Sequence, residues 1–359
     1  MKAAFKKNMR SLNREELIQW LKENKQPTYR ASQIHDWIWK KHVIHFNQMT
    51  NLPSSIRQML EEAFEIRTVK IEKTIQSSDG TIKSAIRLFD GKTVETVLIP
   101  TPTRITACIS SQAGCSLECR FCATARLKLM RNLETDEIYD QVLLSAQLAK
   151  EFYGRPLTNV VFMGMGEPLL NYKNVIQAIE LLSSPDGLGM SHKRFTLSTA
   201  GIIKMILKLA DDKIPCKLAV SLHAALDDKR TQLMPINQSN SLKALRKALM
   251  YYYQKTGRTI TLEYLMLDEI NDREEDAKAL VKFARAFPSK VNLIEFNTVE
   301  GMPFKKSKSK QVKFFQQFLI SQGLIATIRK SRGLDIDAAC GQLAGKLLSE
   351  TWVKKQSVF

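Results

Sequence analysis

No uninterrupted apolar run in the 359-residue chain approaches the roughly 20 residues a membrane-spanning helix requires, so no such helix is expected. Cysteine is scarce, with six residues, and the basic start from Met1 to Arg10 lacks the apolar stretch of a secretory signal. A disulfide scaffold is therefore not expected, and the cytoplasm is the expected compartment. Internal repeats are absent, and so are low-complexity tracts apart from a short cationic run at 304–310 that faces either solvent or phosphates. With 44% hydrophobic and 25% charged residues the composition is that of a globular chain, which argues against disorder. Acidic residues are in deficit: 36 Asp plus Glu face 54 Lys plus Arg, for a net charge of +18. Such an excess points to a polyanionic partner, because neutralising phosphates releases counterions; a basic protein that is merely soluble is the plainer alternative.

The chain divides by the period of its apolar residues. Residues 1–66 read as a helical region: Asn13 caps a helix with Glu16 at its third position, Ile34, Trp37 and Ile38 mark a second helix ending at Lys40 and Lys41, and Pro53-Ser54 opens a third. Trp37 and Trp39 are candidates for stacking on bases, although the spacing favours core for Trp37. Residues 67–104 switch to alternation, with turns at Ser78-Asp79-Gly80 and Asp90-Gly91, and read as a small β-hairpin extension. From 105 to 300, six β-rich runs alternate with helical stretches, one of them opening with Thr135 as N-cap. Such alternation predicts an α/β fold with a parallel sheet, and six units suggest a partial (β/α)6 barrel of the TIM type. Residues 301–359 form a C-terminal segment.

Three cysteines, Cys115, Cys119 and Cys122, follow the first of those six runs. A [4Fe–4S] cluster held by three thiolates keeps one iron open for a substrate or cofactor. This spacing, with Phe121 before the last cysteine, resembles the signature of the radical S-adenosylmethionine (SAM) superfamily. A zinc or closed cluster site completed by Cys108 is the alternative. Later strand ends carry residues suited to ligands: Gly166 and Glu167 after the second run, Ser198 at the third, Ser221, Leu222 and His223 at the fourth, and Asn297 at the sixth. In parallel barrels function gathers at these carboxyl ends, so together they outline one pocket. Cys216, at the start of a strand, reads as core, and His35, His42, His45 and His192 form no metal spacing.

Taken with the segments Val94–Pro100, Cys108–Cys115, Gly164–Pro168 and Asp335–Leu343, the chain resembles the RlmN/Cfr family of radical SAM RNA methyltransferases nearly end to end. The resemblance implies a [4Fe–4S] cluster on Cys115, Cys119 and Cys122, and SAM on Gly166, Glu167, Ser198, Ser221, Leu222, His223 and Asn297. It further implies that Cys340 carries the methyl group, that Glu95 is the general base, and that Cys108 releases the product through a transient disulfide with Cys340. The implied reaction is methylation at C2 of adenine, at adenosine 2503 of 23S rRNA and adenosine 37 of tRNA, with two SAM per turnover. Residues 1–66 would be an RNA-binding accessory region. A monomer served by an electron donor such as flavodoxin or ferredoxin is expected. The Gly-Glu-Pro and Val-Leu-Ile-Pro segments favour the C2 branch over methylation at C8, while Ala125 and Lys128 stand where the family often has glycine. A non-catalytic RNA-binding metalloprotein is the reading from another class.

Overall fold

The computed structural model describes residues 6–344; the first five residues of the basic start and the tail beyond Ala344 lie outside the described residues. Three helices come first, α1 (Arg14–Glu23), α2 (Arg30–Trp39) and α3 (Ser54–Ala63). The expected capping box holds: the Glu16 amide donates to Asn13 Oδ1 and the Asn13 amide to Glu16 Oε2, each at 2.8 Å. Of the two tryptophans Trp39 is the buried one. Trp37 is half-buried, with Lys41 Nζ 3.6 Å from its ring centre and its indole N–H donated to Asn51, which corrects the core assignment.

The segment expected as a hairpin forms three antiparallel strands, β1 (Lys70–Gln76), β2 (Ile82–Arg87) and β3 (Thr93–Pro100). They are continuous with the main sheet, since β3 pairs antiparallel with β4 (Ile105–Cys108). With β4, six further strands make a parallel set of seven: β5 (Asn159–Phe162), β6 (Phe195–Thr199), β7 (Lys217–Ser221), β8 (Ile260–Met266), β9 (Ser289–Glu295) and β10 (Ile325–Arg329). The resulting ten-stranded sheet keeps strict chain order from β1 to β10, so every strand lies beside its sequence neighbour. β10 adds a seventh parallel strand to the six expected.

Helices cover the outer face of this partial barrel. In α4 (Thr135–Tyr153), Ile138 and Val142 are fully buried, and in α5 (Tyr172–Ser183) Val175 and Ile179 are, each pair at i, i+4. The N-cap of α4 is Glu134, whose amide donates to Glu137 Oε2 at 2.9 Å; Thr135 is the first helical residue instead of the expected cap. Further helices are α6 (Ile203–Asp211), α7 (Asp227–Leu233), α8 (Leu242–Thr256), α9 (Glu274–Ala284) and α10 (Ser309–Ser321). No helix among the described residues is long and apolar enough to cross a membrane. Cys216 is core, as expected.

Candidate active site

The loop after β4 carries the three spaced cysteines, and the loop after β5 carries Gly166 and Glu167. The glycines bring these loops together. A Cβ on Gly164 would stand 2.6 Å from the Ile109 backbone, and one on Gly166, whose φ is +95°, would stand 2.4 Å from Gln112 Cβ. The Glu167 amide then donates to Gln112 Oε1 at 2.8 Å, fixing one loop on the other. Lys128 takes φ +49°, a conformation that glycine adopts without strain.

Cys115, Cys119, Cys122, Gly166, Glu167, Ser198, Ser221 and His223 line one cavity. Burial pushes the Cys115 thiol up to about 11 and raises Cys119 and Cys122 as well. Such thiols are buried neutral and become stable thiolates only beside a positive centre. The Glu167 carboxylate accepts from the amides of Ala200 (2.7 Å) and Leu169 (3.0 Å), yet burial still lifts its pKa to about 7. Burial, and then the neighbouring Arg230, depress His223 to about 3, so it is neutral. Its Nδ1 accepts from the Leu265 amide at 3.0 Å, which puts the ring proton on Nε2 as a donor.

Arg230, unsuspected from sequence, clamps two strand ends: it donates to the carbonyls of Ala200 (2.7 Å), Leu222 (3.1 Å) and Ser221 (3.4 Å). Leu222 is fully buried and contributes backbone, not a cavity wall. The Asn297 side chain lies outside the cavity lining and donates to the Cys340 carbonyl at 3.0 Å. Glu95 is also outside it, fully buried, 3.1 Å from Lys83 Nζ, and accepts the Ala344 amide at 3.1 Å.

A second cavity of about 530 Å³ runs down the barrel interior and contains Cys108. Cys340 and Arg329 lie on the wall the two cavities share, with Cys122, Met163 and Glu263. Arg329 Nη1 is 3.9 Å from Glu263 Oε2 and 3.8 Å from Met163 Sδ. Its charge is favoured first by Cys340, then by Glu263 and Cys108. Burial, followed by the neighbouring Cys340 sulfur, pushes the Cys108 thiol up to about 12. All six cysteines are free thiols, so the expected Cys108–Cys340 disulfide is not formed here. Arg329 closes β10, the strand sequence reading missed; its apolar positions are too few to stand out.

These residues suit an iron–sulfur cluster and a sulfonium cofactor. The three thiols of Cys115, Cys119 and Cys122 line one cavity, and thiolates are the ligands such a cluster takes. The same cavity holds the Glu167 carboxylate and the buried Glu263 Oε2, which has no hydrogen-bond partner; both can accept from a cofactor that carries an ammonium and hydroxyl groups.

Comparison with known proteins accords with this geometry. Residues 7–66 match the model of the ribosomal RNA large subunit methyltransferase N-terminal domain, and residues 109–281 match the radical SAM superfamily. A protein of Christiangramia forsetii is 51% identical over 341 residues, covering 95% of this chain and 97% of its own. One of Flavobacterium psychrophilum is 52% identical, covering 95% and 98%; both are named as a probable dual-specificity RNA methyltransferase RlmN. A crystal structure of a radical SAM methyltransferase from Sphaerobacter thermophilus superposes with a TM-score of 0.88 at 38% identity, covering 94% of this chain and 99% of that one. With two relatives near half identity along almost their whole lengths, the chain belongs to the RlmN family of radical SAM RNA methyltransferases.

Proposed function

We propose that the chain methylates C2 of adenosine in RNA, at adenosine 2503 of 23S rRNA and adenosine 37 of tRNA, with Cys340 as the methyl carrier. The observation that carries the reading is the place of Cys340: it lies on the wall between the cysteine-lined cavity and the one containing Cys108. A carrier must face its donor on one side and its acceptor on the other. Adenine C2, between two ring nitrogens, is too electron-poor to take a methyl group by ordinary displacement, so a sulfur nucleophile accepts it first.

In this reading Cys115, Cys119 and Cys122 hold a [4Fe–4S] cluster, and Glu167, Ser198, Ser221 and the Nε2–H of His223 orient SAM. Bound together, cluster and SAM would supply one-electron cleavage of the sulfonium to a carbon radical. Cys340 stores the methyl group as a thioether, while Asn297 holds its carbonyl and Arg329 lends positive charge to its sulfur. Glu95 removes the C2 proton once the Ala344 amide gives up its oxygen. The Cys108 thiolate then attacks the Cys340 sulfur: the bond from that sulfur to the carbon now attached at C2 breaks, and the carbon takes the electron pair and a proton to become the new methyl group. The Cys108–Cys340 disulfide left behind is reduced by an external thiol. A cytoplasmic setting and a flavodoxin- or ferredoxin-type electron donor fit this chemistry.

Nucleoside mass spectrometry of RNA treated with the reconstituted enzyme tests the proposal. 2-Methyladenosine is expected; 8-methyladenosine would move the chain to the C8 branch. Binding of RNA without any methylated product would make it a binding protein.

A further inference from the structure

Alternate residues of a strand face the same way, and in most parallel barrels the inward set is bulky, branched and closely packed. Here the inward set at the amino-terminal ends of the strands is polar. Thr196 of β6 lies in register with Lys217 of β7, and Thr261 of β8 with Lys290 of β9. All four line the 530 Å³ cavity, which is within the roughly 300–1,000 Å³ range of ligand pockets. Its lining has six cations, Arg104, Lys217, Lys290, Arg329, Lys330 and Arg332, against one carboxylate, Glu263. Arg329 reaches toward Glu263, and Arg332 Nη1 stands 3.8 Å from Asp79. The other four have no ion pair or side-chain hydrogen bond among the described residues. Burial, and then the charges of Lys290, Arg104 and Arg194, lower the Lys217 pKa, as expected where cations crowd; the one carboxylate, Glu263, is shared between Arg329 and Lys290. Like charges held together at a cavity mouth repel unless an anion bridges them.

We infer that this amino-terminal mouth admits the target nucleotide, with Arg104, Lys217, Lys290 and Lys330 gripping the flanking phosphates, so that RNA reaches Cys340 from the side opposite the cysteine-lined cavity. The inference rests on the methyltransferase reading, and it names the RNA side of the same site. A single-stranded nucleotide suits the mouth, because an adenine stacked in a duplex hides C2 and must be extruded.

The test uses the reconstituted full chain and a fluorescein-labelled RNA hairpin with an unpaired loop adenosine. Its affinity is measured by anisotropy across a salt series for wild type, for the Lys217→Gln/Lys290→Gln double variant, and for Lys278→Gln/Lys282→Gln on α9, which loses the same charge elsewhere. The mouth variant is expected to bind about tenfold more weakly near 0.1 M salt, with the log–log salt slope reduced by about 1.4, while the α9 variant stays near wild type. Equal affinity and slope in the two variants would overturn the inference. Wild type that binds no RNA would overturn the methyltransferase reading and the inference together. Should the mouth variant misfold, photocrosslinking of wild type to the same hairpin with 4-thiouridine beside the adenosine decides: adducts at the starts of β7 and β9 support the mouth, and adducts confined to the outer helices overturn it.

Discussion

Two arginines, one buried and one half-buried, are set in opposite ways. Arg10, just before α1, makes a bidentate pair with Asp140 of α4 at 2.6 and 2.7 Å, donates to the Arg67 carbonyl at 3.1 Å, and lies 4.6 Å from the Trp39 ring centre. Nearby, Asn8 Nδ2 donates to Asp136 at 2.8 Å and the Tyr139 hydroxyl to the Trp39 carbonyl at 2.6 Å, so this network joins the helical region to the barrel. Arg329 has no such closure: its nearest carboxylate oxygen stands at 3.9 Å and is itself without a hydrogen bond. A charge that holds a fold together is satisfied on nearly every side. One that serves chemistry keeps a side free for a group that arrives later.

Removing the group that Arg329 faces gives the largest contrast. Cys340→Ala should abolish methyl transfer, by at least about a thousandfold, since no other sulfur lies on the shared wall except those of Cys122, a proposed cluster ligand, and Met163. The iron–sulfur absorbance of the variant should match wild type, as the proposed cluster ligands are Cys115, Cys119 and Cys122 and Cys340 only shares the cavity with them. Loss of that absorbance would instead make Cys340 a ligand.

Arg10→Met comes next. It leaves Asp140 buried without its partner, and a broken buried pair costs about 3–5 kcal/mol, readable as a shift in the urea midpoint. Methylation per folded molecule should remain within about twofold. Arg329→Met should reverse this pattern. Stability is expected to change by less than about 1 kcal/mol, because little is bonded to the guanidinium, while kcat/KM falls about a hundredfold, or roughly 2.7 kcal/mol of transition-state stabilisation. Slower iodoacetamide labelling of Cys340 at neutral pH would separate lost charge from lost packing.

The carboxyl ends of the strands were legible because ligand-bearing residues there follow β-rich runs directly, as Cys115 follows β4 and Glu167 follows β5. The inward layer of the barrel was not. Lys217 is the first and Lys290 the second residue of strands whose inner residues are mostly apolar, and only the register of neighbouring strands shows them facing one cavity. That Cys108 and Cys340, 232 positions apart, line one cavity leaves no local trace in a sequence; the resemblance to a known family pointed to it. Residues 67–104 read as a separate extension, whereas Val94–Pro100 pairs on both edges, with β2 and with β4, and so makes the extension part of the main sheet. The glycines of the Gly-Met-Gly-Glu-Pro segment suggested close approach to a ligand, whereas Gly164 and Gly166 first of all let two loops pack on each other.

The smallest expected effect lies between the two arginines in kind, at the tether of the segment bearing Cys340. Asp79, in the β1–β2 turn, accepts from the Thr81 amide at 2.9 Å and from the Gly333 amide at 3.0 Å. Burial would raise its pKa, but these bonds and those of the Thr81 and Ser77 side chains outweigh it and hold the carboxyl at about 2. Because the folded value is depressed below the ordinary 3.8, the stabilisation is present above about pH 4 and is lost as pH falls toward 2. Asp79 is only half-buried, so screening reduces the contribution to about 1 kcal/mol or less. Asp79→Asn should therefore move the urea midpoint slightly at pH 7 and not at all near pH 2. Amide exchange at 333–344 should quicken severalfold, since the first anchor of that segment is lost while Asn297 still holds Cys340. Unchanged exchange would mean that the Asp335 bonds to Ser77 and Ser78, both on the same turn, are enough to keep the carrier segment in place.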